Sequence, residues 1–193
     1  MPSPTALRHT FVVYVEDKPG VLNRIASLFR RRAFNIESLT VGHTETPGVS
    51  RMTVLVACDD HGARRLEANL YKLVNVLRVD DVTARASVYR ELAMVKVATK
   101  TPGFRSDVMQ LVDVFRARVV DVGPDSVIIE TTGTEEKIDG LLEVLRPYGI
   151  LELVRTGRVG MVRGSGSVLV EPPEAPRPAR AKPADDDNIS YSV

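Results

Sequence analysis

The order of apolar and polar residues along the chain predicts alternating strands and helices. His9–Val15 is rich in valine and aromatic residues, which predicts a strand, and apolar side chains recur at helical spacing over Val21–Phe29, which predicts an amphipathic helix. Asn35–Thr44 and Ser50–Ala57 predict two strands joined by a Pro-Gly turn as a hairpin. A further helix and a strand over Val76–Val82 complete a βαββαβ unit, and that helix carries Leu66, Leu70 and Leu73.

The same order of elements is predicted a second time. A strand over Leu92–Ala98 precedes a helix over Val108–Phe115, and Gly123–Asp125 provides the turn of a hairpin. A second helix over Ile138–Leu145 is ended by a proline and a glycine, and extended structure resumes over Ile150–Thr156. We therefore predict an α+β protein with two tandem ferredoxin-like βαββαβ domains.

Domain boundaries follow from these elements and from a change in composition. We place the first domain at residues 7–85 and the second at residues 86–164. A shift of 83 residues lays Pro19–Gly20 on Pro102–Gly103, which favours an internal repeat. Beyond the second domain the chain is rich in proline, alanine and arginine and then in aspartate, so residues 165–193 are predicted to form a disordered tail.

The composition predicts a globular chain that stays in water. Of its 193 residues, 44% are hydrophobic and 26% are charged, and the formal charge of +1 gives no reason to expect nucleic acid as a partner. A helix C-terminus favours the Arg30–Arg32 cluster without any ligand, and a local binding patch is the alternative. No apolar run is long enough for a membrane span, no signal-peptide pattern is present, and the single Cys58 cannot form an internal disulfide. We expect a cytoplasmic protein with no membrane partner.

One turn and one asparagine suggest a small-molecule site. The segment Glu16–Leu22 (EDKPGVL) predicts a strand, a Pro-Gly turn and a helix start, whose free amide groups face an anion such as an amino acid carboxylate. One helix later, Asn35 can donate and accept hydrogen bonds at once, which suits a zwitterion. We expect the βαββ order to return Asn35 to the mouth of the turn. The alternative is structural, with Asp17 as a helix cap, Gly20 in a tight turn and Asn35 as a turn residue.

Residues typical of a catalytic or metal site are sparse. The three histidines are scattered, and neither a nucleophile elbow nor a phosphate-binding loop is present. Cys58–His61 contains metal-ligand atom types, but four successive ligands are geometrically awkward, and capping of a helix by Asp59 or Asp60 explains the aspartates. We predict neither catalytic residues nor a metal or other cofactor in this chain.

In Glu16–Leu22 (EDKPGVL), in Phe34–Val41 (FNIESLTV) and in four further segments, the chain resembles the regulatory small subunit of acetolactate synthase (acetohydroxyacid synthase). The resemblance starts with Glu16–Leu22 and with Phe34–Val41 (FNIESLTV), of which the second is the more specific. It extends over residues 7–164 and includes four further segments: Ser50–Thr53, Lys72–Val79, Arg90–Val97 and Arg155–Gly157.

The resemblance implies an N-terminal ACT domain that pairs with a second copy of the chain. It also implies that this domain binds valine or another branched-chain amino acid, leucine or isoleucine. The effector-binding residues that it implies are Asp17, Gly20, Val21, Leu22, Asn35 and Ile36. Two positions depart from the family's pattern, since Asp17 replaces a common asparagine and Ala33 a common glycine. A carboxylate at position 17 favours the ligand's ammonium group, and a residue just past a helix end often needs a positive φ.

The function that the resemblance implies is that of a non-catalytic regulatory subunit. Such a chain activates a catalytic large subunit that makes acetolactate from two pyruvate molecules in branched-chain amino acid biosynthesis, and it confers feedback inhibition by valine. Thiamine diphosphate, Mg²⁺ and FAD are then expected in that partner. The second domain is expected to support dimerisation or to contact the partner, because Arg118, 83 residues beyond Asn35, offers no short amide. The alternatives are a free-standing ACT-type amino acid sensor for another enzyme or a transcription factor, and an enzyme in its own right.

Overall fold

The computed structural model describes residues 7–164, which fold into two units of strands and helices in tandem. The first unit contains β1 (Arg8–Glu16), α1 (Val21–Arg31), β2 (Ile36–His43), β3 (Val49–Ala57), α2 (Asp60–Leu70) and β4 (Val76–Asp81). The second contains β5 (Ser87–Ala98), α3 (Pro102–Val114), β6 (Arg118–Val122), β7 (Ser126–Gly133), α4 (Glu135–Leu145), a 3₁₀ turn (Arg146–Tyr148), β8 (Ile150–Arg155) and β9 (Val159–Val162). The predicted tandem of βαββαβ units is confirmed; the predicted tail lies outside the described residues.

Each unit builds an antiparallel sheet with the same strand order. The order is β2-β3-β1-β4 in the first sheet and β6-β7-β5-β8 in the second. Since β1 and β2 are both antiparallel to β3, they run in the same direction. Helix α1 therefore carries the chain from the end of β1 back to the level at which β1 starts, and β2 begins there.

The apolar spacing seen in the sequence is the spacing that the first core uses. Val21, Ile25 and Leu28 lie on one side of α1 and pack against alternate residues of β1, such as Phe11 and Val13. The prediction for α2 was one turn too long, since the helix ends at Leu70 and Leu73 lies in the following turn. Leu73 still packs against the core from there.

The two strands β5 and β9 form a short ribbon that the sequence pattern did not predict. β5 begins at Ser87 instead of Leu92, and its first four residues pair with β9. The ribbon lies against the face of the first sheet that is turned away from the helices, where Arg51 donates a side-chain hydrogen bond to the carbonyl of Gly160. Val12 and Leu55 on that face are 3% and 2% exposed, so the first sheet is covered on both faces.

Ala33 ends α1 in the left-handed region, as the family comparison of sequences led us to expect. Its φ is 56°, and the amides of Ala33 and Phe34 donate to the carbonyls of Arg30 (3.1 Å) and Phe29 (3.0 Å). These two bonds define a Schellman motif, which normally places glycine at this position. Arg116 ends α3 in the same way with a φ of 49°. The two helix ends are 83 residues apart, which agrees with the proposed repeat.

Replacing Ala33 with glycine is expected to raise the free energy of unfolding by about 0.5–1 kcal/mol. The left-handed conformation costs alanine about 1–2 kcal/mol, and the greater freedom of glycine in the unfolded chain offsets part of the gain. Chemical denaturation followed by circular dichroism measures the difference. The matched control is Ala26→Gly in the exposed middle of α1, where the same change should destabilise by about 1 kcal/mol. If both substitutions changed the free energy of unfolding in the same direction, the strain at Ala33 would be contradicted.

Candidate functional site

The turn before α1 differs from the starts of the other three described helices. Asp59, Thr101 and Thr134 each accept a hydrogen bond from a first-turn amide of α2, α3 and α4. The residue that precedes α1 is Gly20, with a φ of 83°, and no side chain caps this helix. The amide of Val21 donates to the carbonyl of Lys18 (3.3 Å), and the amides of Leu22 and Asn23 are left for water or for an anion. The need for glycine in this turn and the cap at Asp59 are confirmed.

Asp17 does not cap α1, so the structural alternative for this residue was wrong. Its carboxylate lies 3.3 Å from Nδ1 of His43 at the end of β2, and its backbone amide donates to the carbonyl of Gly48 (2.8 Å). The side chain of Asp17 is about half exposed. A carboxylate is thus held at the mouth of the turn, where it can accept a hydrogen bond from an ammonium group.

Val21 and Leu22, the first two residues of α1, differ in their exposure to solvent. Val21 is 5% exposed and belongs to the core, whereas Leu22 is 47% exposed beside the turn. The side chain of Val21 is therefore closed to a ligand, whereas Leu22 can present both its side chain and its amide. The turn supplies amides, a carboxylate and an apolar side chain within a few residues.

The structure does not bring Asn35 to this turn within one chain. Ile36, the next residue, aligns with Val56 at the end of β3, whereas Glu16 aligns with Val49 at the start of β3. Asn35 and the turn thus lie at opposite ends of the sheet, and the expectation that they converge within one chain was wrong. The reason is the parallel direction of β1 and β2, which a single crossover helix imposes. Asn35 is exposed, and Ile36 is partly buried against the core.

The second domain builds its corresponding turn differently. Thr101 accepts a hydrogen bond from the amide of Phe104 (3.2 Å), and Gly103, which corresponds to Gly20, lies inside α3. Arg118, which corresponds to Asn35, is paired with Glu130 on β7. A threonine cap and an ion pair occupy the positions that are open in the first domain.

A network of ion pairs joins strand β2, which begins directly after Asn35, to the second domain. Arg8 on β1 binds Glu37 on β2 (2.8 Å) and Glu135 at the start of α4 (3.0 Å), and Arg158 binds Glu135 as well (2.5 Å). Burial acts to raise the pKa of Glu135, but hydrogen bonds and positive charge from Arg8 and Arg158 outweigh it and hold the pKa below its ordinary value. The network borders a cavity of about 470 Å³ between the two domains.

The segment Arg155–Gly157 is the second part of this junction. Gly157 has a φ of 77°, and a Cβ there would lie 2.0 Å from the hydroxyl oxygen of Ser38 on β2. Thr40 on β2 donates to the carbonyl of Arg158 at 3.3 Å. Sequence reasoning did not assign a role to these residues; the only signal was the resemblance at Arg155–Gly157. Strand β2, which begins directly after Asn35, therefore has the second domain along its face.

Comparisons of this chain with family models and with known proteins agree with this architecture. Residues 11–78 match the family described as "AHAS small subunit-like ACT domain", and residues 90–164 match "Small subunit of acetolactate synthase". The acetolactate synthase small subunit of Mycobacterium bovis is 48% identical over 156 residues, which are 81% of this chain and 92% of that protein. The small subunit of Bacillus subtilis is 44% identical over 82% of this chain and 92% of its own length.

A solved structure extends the agreement to three dimensions. The crystal structure of the acetolactate synthase small subunit of Thermotoga maritima matches with a TM-score of 0.76 and 38% identity, over 82% of this chain and 99% of that one. Fold and turn together define a tandem ACT-type protein. The chain belongs to the acetolactate synthase small subunit family. None of the helices within residues 7–164 is long and apolar enough to cross a membrane.

Proposed function

We propose that this chain is the regulatory subunit of an acetolactate synthase. It binds a catalytic large subunit, raises the rate at which that subunit makes acetolactate from two pyruvate molecules, and makes the rate sensitive to valine. Membership of the small subunit family supports the partnership, and the uncapped turn before α1 is the observation that carries the effector site. Thiamine diphosphate, Mg²⁺ and FAD belong to the large subunit in this proposal, and the complex works in the cytoplasm.

The effector site is completed by a second copy of the chain. Strand β2 is an edge strand with β3 as its only described neighbour, so it has a free hydrogen-bonding edge. In a two-fold dimer, two such edges pair antiparallel, and the start of one β2 lies beside the end of the other. The end of β2 is His43, which contacts Asp17. Asn35 of one copy therefore comes to the same end of the joint sheet as the turn of its partner.

The chemistry of the two half-sites matches a branched-chain amino acid. The ligand carboxylate binds the free amides at the start of α1, and its ammonium group binds the carboxylate of Asp17. Asn35 contributes an amide that bonds either group. The apolar side chains of Leu22 and Ile36 contact the aliphatic part of the ligand, which distinguishes valine, leucine and isoleucine from polar amino acids.

Inhibition requires that the effector prefer one arrangement of the dimer. A ligand shifts an equilibrium only by its difference in affinity for the two states, and couplings of about 1–3 kcal/mol change a response several-fold to about a hundredfold. In this proposal, strand β2 transmits the effector's preference for one dimer arrangement to the domain junction. The first residue of β2, Ile36, directly follows Asn35, and the second, Glu37, is bound to Arg8 at the junction. The second domain thereby senses the effector through the same strand.

Replacing Asn35 with alanine is expected to weaken the response to valine at least about tenfold while activation of the large subunit persists, since a lost bond to a charged ligand costs about 1.5–3 kcal/mol. Asn35 is exposed, so the fold is expected to remain intact. The measurement is acetolactate formation by the large subunit, with each variant, over a valine titration. The control is Arg118→Ala, the corresponding position of the second domain, which should leave the valine response unchanged.

The same assay separates the proposed function from its alternatives. Activation by the wild-type chain that valine reverses only when the chain is present supports a regulatory subunit with an effector site. Valine binding to the chain without any effect on acetolactate formation would instead indicate a free-standing sensor. Loss of folding in Asn35→Ala, read by circular dichroism, would show that Asn35 is a structural turn residue.

A further inference from the structure

The helix layer of the first domain carries a concentration of positive charge that the fold does not require. Residues 21–32 and 60–72, which contain α1 and α2, hold seven basic and two acidic residues, a net charge of +5 in a chain whose total is +1. The basic residues are Arg24, Arg30, Arg31, Arg32, Arg64, Arg65 and Lys72, and all seven are exposed. The corresponding helix segments of the second domain, residues 102–116 and 134–148, hold four basic and six acidic residues, a net charge of −2.

Local explanations account for only part of this basic surface. The dipole of α1 favours Arg30 and Arg31 in its last turn. It does not explain Arg64 and Arg65, which lie in the middle of α2, where the dipole has little effect. Within residues 7–164, none of the seven basic side chains forms an ion pair, whereas the arginines of the domain junction all do.

The basic residues of the two helices form one continuous surface. The guanidinium of Arg32, just past α1, donates to the side-chain oxygen of Asn69 on α2 at 3.1 Å. Asn69 in turn donates to the carbonyl of Arg65, one helical turn away. We name this surface, formed by the seven basic residues above, the basic helix surface.

An exposed apolar residue lies at the edge of the basic helix surface, near the effector turn. Val74, two residues after Lys72, is 90% exposed, and Tyr71 is 50% exposed. Arginine and tyrosine beside a small apolar residue are the composition of protein interfaces. The neighbour of Val74, Asn75, accepts a hydrogen bond from Arg24 (3.0 Å) and, through its carbonyl, from the amide of Glu16 (2.9 Å).

Two other surfaces of the first domain have partners in the structure or in the proposed dimer, and the outer side of β4 is only the edge of a strand. The ribbon of β5 and β9 covers the opposite face of the sheet, and the free edge of β2 is used by a second copy in the proposed dimer. The helix layer is the remaining broad surface. A patch of uncompensated positive charge favours an acidic partner and speeds association with it.

We propose that the basic helix surface is where this chain docks on an acidic surface of the catalytic large subunit. The inference rests on the proposed function, because it names the surface by which activation is delivered. The hydrogen bonds from Glu16 and Arg24 to Asn75 place the effector turn at the border of the docking surface. An effector bound at the turn thus acts on the contact with the large subunit directly.

The test is charge reversal on α2, measured as binding to the large subunit. Arg64→Glu/Arg65→Glu is expected to raise the concentration needed for half-maximal activation at least about tenfold and to flatten its dependence on salt. The matched control is Lys100→Glu/Arg146→Glu, which makes the same change in net charge at exposed positions of the second domain and should stay within about twofold of wild type. Direct binding, read by sedimentation of the mixed subunits, should follow the activation data.

The outcomes separate this inference from the proposed function. A wild-type chain that neither binds nor activates the large subunit would overturn both. Activation by the wild type together with an unchanged Arg64→Glu/Arg65→Glu variant would overturn the docking surface alone, as would an equal loss in the control. Arg64→Ala/Arg65→Ala keeps the helix and removes the charge, so an intermediate loss in this variant, with an unchanged circular dichroism spectrum, excludes misfolding as the cause.

The chain's own acidic segment is the competing occupant. Residues 185–187 are three successive aspartates in the part of the chain outside the described residues. Removal of residues 167–193 should leave the effect of Arg64→Glu/Arg65→Glu in place if the large subunit is the partner. Disappearance of the effect in the shortened chain would assign the basic helix surface to the tail and overturn the inference.

Discussion

Replacing Gly157 with alanine is expected to lower the free energy of unfolding by about 2–5 kcal/mol. The φ of 77° costs alanine about 1–2 kcal/mol. The new Cβ would also lie 2.0 Å from the hydroxyl oxygen and 2.9 Å from the Cβ of Ser38, and overpacking of this kind costs about 1–3 kcal/mol. Chemical denaturation followed by circular dichroism measures the loss.

Two further variants assign the cost of Gly157→Ala to its causes. In a Ser38→Gly background the steric part is relieved, so the same substitution should cost only the backbone part, about 1–2 kcal/mol. Gly42 lies on β2, the strand that contains Ser38, and has open space around it. Gly42→Ala should therefore change the free energy of unfolding by about 0.5 kcal/mol or less. An equal cost of Gly157→Ala in both backgrounds would show that contact with Ser38 is not what makes glycine necessary.

Replacing Arg155 with methionine is expected to cost about 3–5 kcal/mol, because it leaves a buried carboxylate without its counter-ion. Arg155 holds Glu91 through an ion pair of 2.6 Å, and Glu91 is only 6% exposed. The second partner of Arg155, Asp139, is largely exposed and contributes little. The measurement is again the free energy of unfolding from chemical denaturation.

A double variant and a surface variant test this expectation. Arg155→Met/Glu91→Met removes both charges and should recover most of the loss, since a buried ion pair can be replaced by apolar side chains at little cost. Arg118→Met breaks the ion pair with Glu130, in which Arg118 is 73% exposed, and should cost about 1 kcal/mol or less. Similar small losses for Arg155→Met and Arg118→Met would mean that water reaches Glu91 and that the pair is not a buried one.

Arg155 and Gly157 both lie where the second domain packs against the first. Arg155 ties the end of β8 to β5 and α4, and Gly157, two residues later, lets the chain pass close to β2. Strand β2, which begins directly after Asn35, is thus held by the segment that follows β8. This arrangement gives the second domain a physical route to the proposed effector site that does not involve direct contact with the ligand.

Local patterns were sufficient for the secondary structure and the fold class. The apolar spacing of Val21, Ile25 and Leu28 predicted α1, and the alternation of apolar residues in β3 predicted a strand, because these side chains pack in the core with the period of their own element. Where the pattern was weak, prediction failed. β9 contains four residues including Gly160, and the first residues of β5 have a partner about seventy positions away, so no local signal marks either of them.

The sequence proposed residues for the candidate site, but it did not place them correctly relative to one another. The requirement for glycine at position 20 follows from the turn's own sequence, whereas the sequence left a cap by Asp17 open and the structure shows that no side chain caps α1. The convergence of this turn with Asn35 does not occur within one chain, because direction and register of the strands place them at opposite ends of the sheet. The roles of Asp17, Leu22, Asn35 and Ile36 stay predictions, to be tested in the dimer.

The sequence by itself determined the two βαββαβ units, the left-handed end of α1 and the family to which the chain belongs, since each of these depends on residues close together along the chain. Tertiary structure decided the rest. It joined Arg8, Glu37, Glu135 and Arg158 into one network, gave Gly157 its neighbour and gathered the arginines of α1 and α2 on one surface. These contacts bring together residues that are distant in sequence, and the sequence of a short segment does not specify which distant segment will pack against it.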